Sequence, residues 1–558
     1  MNWLLELGDT VLTVLWFLAS RWVLLLLVPL LLGTLVHMAR RSMRPADAAA
    51  ATSAVGLVGC LMVLCPGWAV YTTLRHTSKL VSQQATTHAG LFATLTHGWH
   101  RTGWWQLYLL VEAAFLLLFL VRCRQLQAAG ALSELNREQR QLALDRALAT
   151  TSDRRALLSG WFQGAEFRTI HRGNAEEWGA WALWGQEHSE LSQVDCAELS
   201  ALIDRAEQHW KLGALPPGYN EELRGRCMRL SLDRIAPKPR PLIIYALVML
   251  AQTGVGLHIR CRHHYELRTV SIAGSPPLRY WYRPAADNAP PSPPVVLLHG
   301  VGAGGAIAAN IFHDFLRPLQ LGDSAVIAPE LPSISYCPYL WQPPLSGKQM
   351  ATCIASIVRS VHREHGRADS SGAGGAVCIG HSFGTVVLAW LLRHEPDTVA
   401  SALFIDPVVF MLHEAALCSR FLYKPCRSAQ DHLLRYFGAE ELHIQHYLRR
   451  HFIWHENIVW LEELPERLLD AGRVVVVLGS GDSIIDAPSV CAYLRGKFGS
   501  MSIADRVRLI VAEGAEHGDW GQDQQVMREM VMAVRASSIE LRRELQRPAA
   551  AGASVLGV

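Results

Sequence analysis

Charge is scarce in this chain and nearly balanced. Lysine and arginine number 52 and aspartate and glutamate 49 in 558 residues, a net charge of +3. No basic run or stripe stands out, so nothing in it points to a nucleic acid partner. Paired cysteines are missing too. The 12 cysteines are scattered, with no Cys-x-x-Cys and no regular spacing. That argues against a disulfide framework and for reduced thiols on the cytosolic side of a membrane. No Asn-x-Ser/Thr sequon occurs, which agrees with that side. There is no internal repeat, and the one low-complexity patch, 285–294, reads as a Pro/Ala surface loop.

Apolar residues are abundant instead. They make up 50% of the chain, with a mean hydropathy of +0.15. They concentrate in three runs, Val11–Met38, Ala48–Tyr71 and Trp104–Val121. A membrane-spanning helix needs about 20 such residues. All three qualify, the last with Trp104 and Trp105 at the interface. The first run is too long for a cleaved signal peptide, the alternative reading, and is taken as a retained anchor. Arg40, Arg41 and Arg44 follow the first run, and Arg122 and Arg124 the third. Positive-inside then predicts an outside N-terminus and a cytosolic remainder after 121. Glu112 lies inside the third run and is read as a carboxyl facing neighbouring helices. A fourth stretch, Pro241–Ile259, is borderline in length and flanked by Arg240, Arg260 and Arg262. It is expected to be half-inserted or protein-buried, with a fourth crossing as the alternative.

Residues 122–150 have helical leucine spacing and predict a polar connecting helix. Trp178, Trp181 and Trp184 recur on one helical face further on, a stripe read as core or interface packing. From Leu267 the pattern changes. Short apolar strands alternate with helical stretches: Leu267–Ile272, Arg279–Tyr282, Val295–Leu298, Ala325–Ala328, Ala376–Ile379, Ala402–Ile405, Val474–Leu478 and Val507–Val511. Runs such as VVVVL are those of strands buried on both faces, and the alternation predicts a mostly parallel sheet covered by helices. Ligands bind beyond the carboxyl ends of such strands.

Those ends carry the chemistry. The fifth strand runs into Gly380-His381-Ser382-Phe383-Gly384 and then an apolar helix. Gly-x-Ser-x-Gly in a strand–turn–helix context presents a serine hydroxyl at the top of a sheet. A serine needs a base, and His517 follows the last strand in a glycine-flanked loop. The histidine needs an acid. Asp482, after VVVVLGSG, is the first choice, with Asp406 and Asp486 as alternatives. The third strand ends in His299-Gly300-Val301-Gly302, a turn placed to aim the Val301 N–H where the Phe383 N–H also points, as an oxyanion hole. This glycine-rich turn lacks the Gly-Lys-Ser/Thr ending of a phosphate loop, so nucleotide binding is not expected.

With the His-Gly turn, the Gly-His-Ser-Phe-Gly elbow, Asp482 and His517 in this order, residues 267–540 resemble an α/β-hydrolase domain, about half the chain. The motifs YWYRP and HENIVW are similar to segments of membrane-anchored hydrolases. The resemblance implies acyl transfer to water through a covalent acyl-enzyme on Ser382. Relatives with an aspartate nucleophile, the dehalogenases and epoxide hydrolases, are disfavoured by Ser382. The His-x4-Asp acyltransferase signature is not met, since Asp523 stands one place late after His517.

The domain layout expected is a transmembrane region (1–121), a helical linker (122–266), the hydrolase domain (267–540) with a cap at about 408–470, and a flexible tail (541–558). The cap is rich in aromatic residues, as a lid that excludes water would be. Its His443, His446, His451 and His455 have helical spacing but lack a His-Glu-x-x-His or clustered cysteines, and packing is expected over a metal. No cofactor is expected. The partners expected are the bilayer and a small-molecule or lipid acyl substrate. Serine peptidase, acyltransferase and inactive membrane scaffold are the competing readings.

Overall fold

The structure, a computed structural model, describes residues 108–546 apart from 129–134, 152, 211–212, 288, 290–291, 320, 337–342, 365–374, 427–428 and 497–505. The first two apolar runs lie outside the described residues, and so do 547–558. The described residues fall into two units, one from 108–126 with 236–247 and the other from 127–235 with 248–546.

In the first unit, residues 108–125 are helical. Leu110, Leu117 and Leu118 are 60–67% exposed, so the helix presents bare aliphatic side chains. Glu112 is buried, and both its carboxylate oxygens accept from the Leu242 N–H, at 3.1 and 3.2 Å. That N–H opens the helix Leu242–His263, where a carboxylate favours the positive end of the helix. The carboxyl inside the apolar run is therefore a helix cap.

The helix Leu242–His263 is the one described helix long and apolar enough to cross a membrane. Only 17% of its most apolar window is buried, which does not fit the protein-buried form of the expectation and leaves a half-inserted or crossing helix. Within the second unit, Ile259 joins the core, while Leu250 and Leu257 remain bare on other sides.

The sheet of the second unit has eight strands: β1 (Glu266–Val270), β2 (Leu278–Arg283), β3 (Val295–Leu298), β4 (Val326–Pro329), β5 (Ala376–His381), β6 (Val399–Ile405), β7 (Val474–Gly479) and β8 (Arg508–Ala512). Their order is β1-β2-β4-β3-β5-β6-β7-β8. β2 pairs antiparallel with β1 and β4, and every other pairing is parallel. Each expected strand is present within a few residues. β3 and β7 are buried at every position, as two covered faces require. Alternate strand residues, among them Val295, Leu297, Val377, Leu403, Val475 and Ile510, pack with helices Gly305–Leu316 and Gln524–Gln546 into one core. That last helix runs through Gln546, so the tail expected from 541 starts in helix.

The connecting helix expected over 122–150 is broken. A new helix, Arg137–Thr150, starts at Asn136, whose side chain and that of Gln139 form a reciprocal capping box. Helices Arg154–Trp161, Arg172–Trp184 and Gln193–Trp210 follow. Their core contains Trp161, Trp181 and Met228, and also Ala415 and Cys418 from the cap. The described residues from Arg137 to Leu230 thus contribute packed helices that share a core with the cap, where a linker was expected. The cap between β6 and β7 is a set of short helices, the longest being Leu442–Arg450. In it His446 and His451 meet edge to face, and His455 meets Trp454.

Candidate active site

Ser382 occupies the turn between β5 and the helix Gly384–His394 with φ +52°, a left-handed conformation that a non-glycine residue holds only under constraint. Its N–H donates to the Ile405 carbonyl at 2.9 Å, and its carbonyl accepts from the Thr385 hydroxyl at 2.6 Å. A Cβ at Gly384 would stand 2.0 Å from the Leu298 carbonyl oxygen, and one at Gly380 2.8 Å from that of Gly384. Both glycines are there because strand and helix touch backbone to backbone.

His517 Nε2 lies 2.9 Å from Ser382 Oγ, and His517 Nδ1 lies 2.7 Å from Asp482 Oδ2. The other Asp482 oxygen accepts the N–H groups of Ile484 and Ile485, each at 2.8 Å. Three residues from the ends of β5, β7 and β8 therefore form one hydrogen-bonded chain. Burial by itself lowers the His517 pKa. The hydrogen bond and charge of Asp482, with the charges of Asp406 and Glu516, outweigh that and carry it above the ordinary value of 6.5. A base with this shift is free only above its pKa. For a reaction that uses it, kcat/KM is expected to climb with pH through a midpoint above 6.5, read from an initial-rate profile.

Of the two alternative acids, Asp486 pairs with Arg420 at 3.3 Å and accepts from the Ser489 hydroxyl. Asp406 is fully buried at φ +44° and lies 3.6 Å from His381 Nε2. It accepts the N–H groups of Gly518 at 2.8 Å and Gly479 at 3.3 Å. Burial pushes its pKa up, yet His381, His517 and the Gly518 N–H together hold it below the usual range. Asp406 thereby braces the loop that carries His517. Asp406, Asp482 and His517 have ligand-type atoms within 4.8 Å of one another, and their hydrogen bonds account for that closeness.

Val301 and Phe383 line the same cavity as Ser382. Among the described residues neither backbone N–H donates to a protein acceptor. The turn that carries Val301 is fixed from both sides. His299, buried, accepts the Leu331 N–H on Nε2, and the Gly302 N–H donates to Ile334. Gly302 sits at φ +79°, where a Cβ would strike the Phe437 carbonyl at 2.8 Å. The Gly305 N–H, opening the next helix, already donates to Glu330. A carboxylate at that helix start disfavours a phosphate.

The cavity over Ser382 is an open pocket with about 740 Å³ of atom-free space, part of it continuous with solvent, and its lining is mostly apolar. Two of its features were missed in the sequence. Trp161 and Trp181 reach it from the segment before the sheet; the stripe Trp178-Trp181-Trp184 was the available signal for Trp181, and no pattern marked Trp161. Glu414 is the one carboxyl in the lining among the described residues. An acid alone in the apolar stretch 408–417 could have marked it. Burial, with Asp486 and Asp153, pushes the Glu414 pKa up to about 7. The unfolded chain loses that proton near 4.5, so stability falls as pH rises from about 4.5 to 7 and then levels. Glu414→Gln is expected to remove this slope and to stabilise the protein at pH 8 by up to about 3 kcal/mol, measured by denaturant titration at several pH values. Cys418 also lines the cavity, but burial pushes its thiol well above the ordinary value, which leaves it inert as a nucleophile.

A strained serine on a strand-to-helix turn, over a mostly parallel sheet, with acid and histidine following in that order, identifies the architecture. The fold is that of an α/β-hydrolase domain. No family model matches the chain, and no curated protein does. Solved structures similar to it include a membrane phospholipase A described as a bacterial virulence factor, at 17% identity and a TM-score of 0.34 over 54% of this chain and 94% of that one. An esterase from Mycobacterium marinum is 16% identical, with a TM-score of 0.35 over 55% and 90%. An epoxide hydrolase from Vigna radiata is 15% identical, with a TM-score of 0.30 over 49% and 97%. Strand order and the elbow geometry at Ser382 define the fold.

Proposed function

We propose that the chain is a membrane-associated serine ester hydrolase of the α/β-hydrolase superfamily. The observation that carries this reading is the chain of hydrogen bonds from Ser382 Oγ through His517 to Asp482, at 2.9 and 2.7 Å. In this mechanism His517 Nε2 takes the Ser382 proton as Oγ attacks the ester carbonyl. Asp482 holds the imidazole in the tautomer with Nδ1 protonated and stabilises the imidazolium. The N–H groups of Val301 and Phe383 receive the charge that develops on the carbonyl oxygen. His517 then gives its proton to the leaving alcohol. Water, deprotonated by the same imidazole, releases the acid from the acyl-enzyme.

Membrane association is supported by the bare leucines of helix 108–125 and by the length and hydropathy of Leu242–His263. With three crossings, and Leu242–His263 half-inserted, the orientation predicted from the sequence puts the catalytic domain on the cytosolic side; a fourth crossing at that helix would put it on the other. The test is turnover of p-nitrophenyl esters by the full-length chain in detergent micelles. Ester hydrolysis lost in Ser382→Ala supports the reading. Cleavage of peptide amides in preference to esters, or acyl transfer to an alcohol in preference to water, replaces it with a peptidase or an acyltransferase.

A further inference from the structure

The cavity over Ser382 is built by two parts of the chain far apart in sequence. The cap supplies Phe421, Leu448, Phe452 and Trp454, and the segment before the sheet supplies Trp161, Trp181 and Leu230. The indole N–H groups are all spent on protein acceptors. Trp161 donates to the His413 carbonyl at 3.0 Å, Trp181 to the Ser231 hydroxyl at 2.8 Å, and Trp454 to the Ala182 carbonyl at 2.8 Å. The rings therefore offer the cavity hydrocarbon surface and no donor. A polar or charged substrate group would lose its water there without replacement.

The wall is also fastened. Arg450 is only 2% exposed, and its guanidinium donates to the carbonyls of Gln127, Ala128, Leu230 and Asp233. Tyr423 of the cap donates its hydroxyl to Asp233, and Arg449 donates to that hydroxyl at 2.9 Å. A buried guanidinium that caps four carbonyls holds the segment in one position against the cap.

From this we infer that the cavity binds a long aliphatic chain of the ester, and that Trp161, Trp181 and Leu230 set the length it accepts. The inference rests on the serine hydrolase reading and gives its site a substrate class. Apart from Ser382 and Glu414, an aliphatic chain meets apolar side chains in the cavity, and each methylene buried adds about 0.8 kcal/mol. The segment 153–235 is then a specificity wall, which couples the chain-binding site to the part of the molecule nearest the membrane runs in sequence.

Two ester ladders test this on the full-length chain. One varies the acyl group from acetyl to palmitoyl on p-nitrophenol, and the other varies a linear alcohol on acetate. Wild type is expected to prefer chains of about ten carbons or more in one ladder, which identifies the side of the ester that enters. Leu230→Trp fills the cavity and is expected to lower the ratio of kcat/KM for the twelve-carbon over the two-carbon ester about tenfold or more. Trp181→Phe enlarges it and is expected to move the optimum to a longer chain. Trp210→Phe, in the same helical layer but outside the cavity, leaves the profile unchanged. If both cavity variants label with a fluorophosphonate and keep the wild-type profile, or if wild type prefers the shortest chain in both ladders, the inference falls and the hydrolase reading stands. If wild type neither labels nor hydrolyses any ester, the hydrolase reading falls and takes the inference with it.

Discussion

Ser382→Ala is expected to lower ester turnover by about 10⁵-fold or more, and His517→Ala by a similar factor. The double variant is expected to be no worse than either single one. This follows from the 2.9 Å contact between the imidazole and the hydroxyl. A hydroxyl without its base is a weak nucleophile, and a base without its hydroxyl has no proton to take. Groups that act as one unit lose their effect together, so the costs do not add. Initial rates with an activated ester give all three numbers. Additive losses in the double variant would mean that the two residues act independently.

The second large effect separates the acids. Asp482→Asn is expected to lower kcat about 10⁴-fold with little change in stability. The amide can offer its N–H to Nδ1 and so turn the imidazole to the wrong tautomer. Asp482 accepts from Ile484 and Ile485 through its other oxygen, so the loop keeps its shape. Asp406→Asn is expected to cost only about tenfold, because it removes a neighbouring charge and weakens the brace at Gly518. It is also expected to move the ascending limb of the pH profile downward, since the Asp406 charge helps to raise the His517 pKa. Equal losses in the two variants would mean that the imidazole is shared between two acids.

Much of the domain could be read in advance because its signals are local. A β-branched run such as Val474–Leu478 announces a strand buried on both faces, and Gly380 to Gly384 announce a turn that only small residues permit. The choice of Asp482 over Asp406 was not decided locally. Both follow apolar strands, and only the fold shows that one faces Nδ1 while the other holds Gly518. The cavity wall was harder still. Trp161 and Trp181 stand far before Ser382 in the chain, and the helical spacing of Trp181 says that it is buried without saying against what. Glu112 was legible as a carboxyl in an apolar run, but its partner, the Leu242 N–H, lies 130 positions away. Long-range contacts of this kind leave no periodicity in a single sequence.

The central claim is an activated serine at the elbow, and covalent labelling tests it most directly. The full-length chain in detergent micelles is treated with a fluorophosphonate, then measured by intact mass and mapped by peptide mass spectrometry. One adduct per chain, located on Ser382 and lost in the folded His517→Ala variant, is the predicted result. A folded wild-type protein that takes no adduct, or takes it at another residue, contradicts the account.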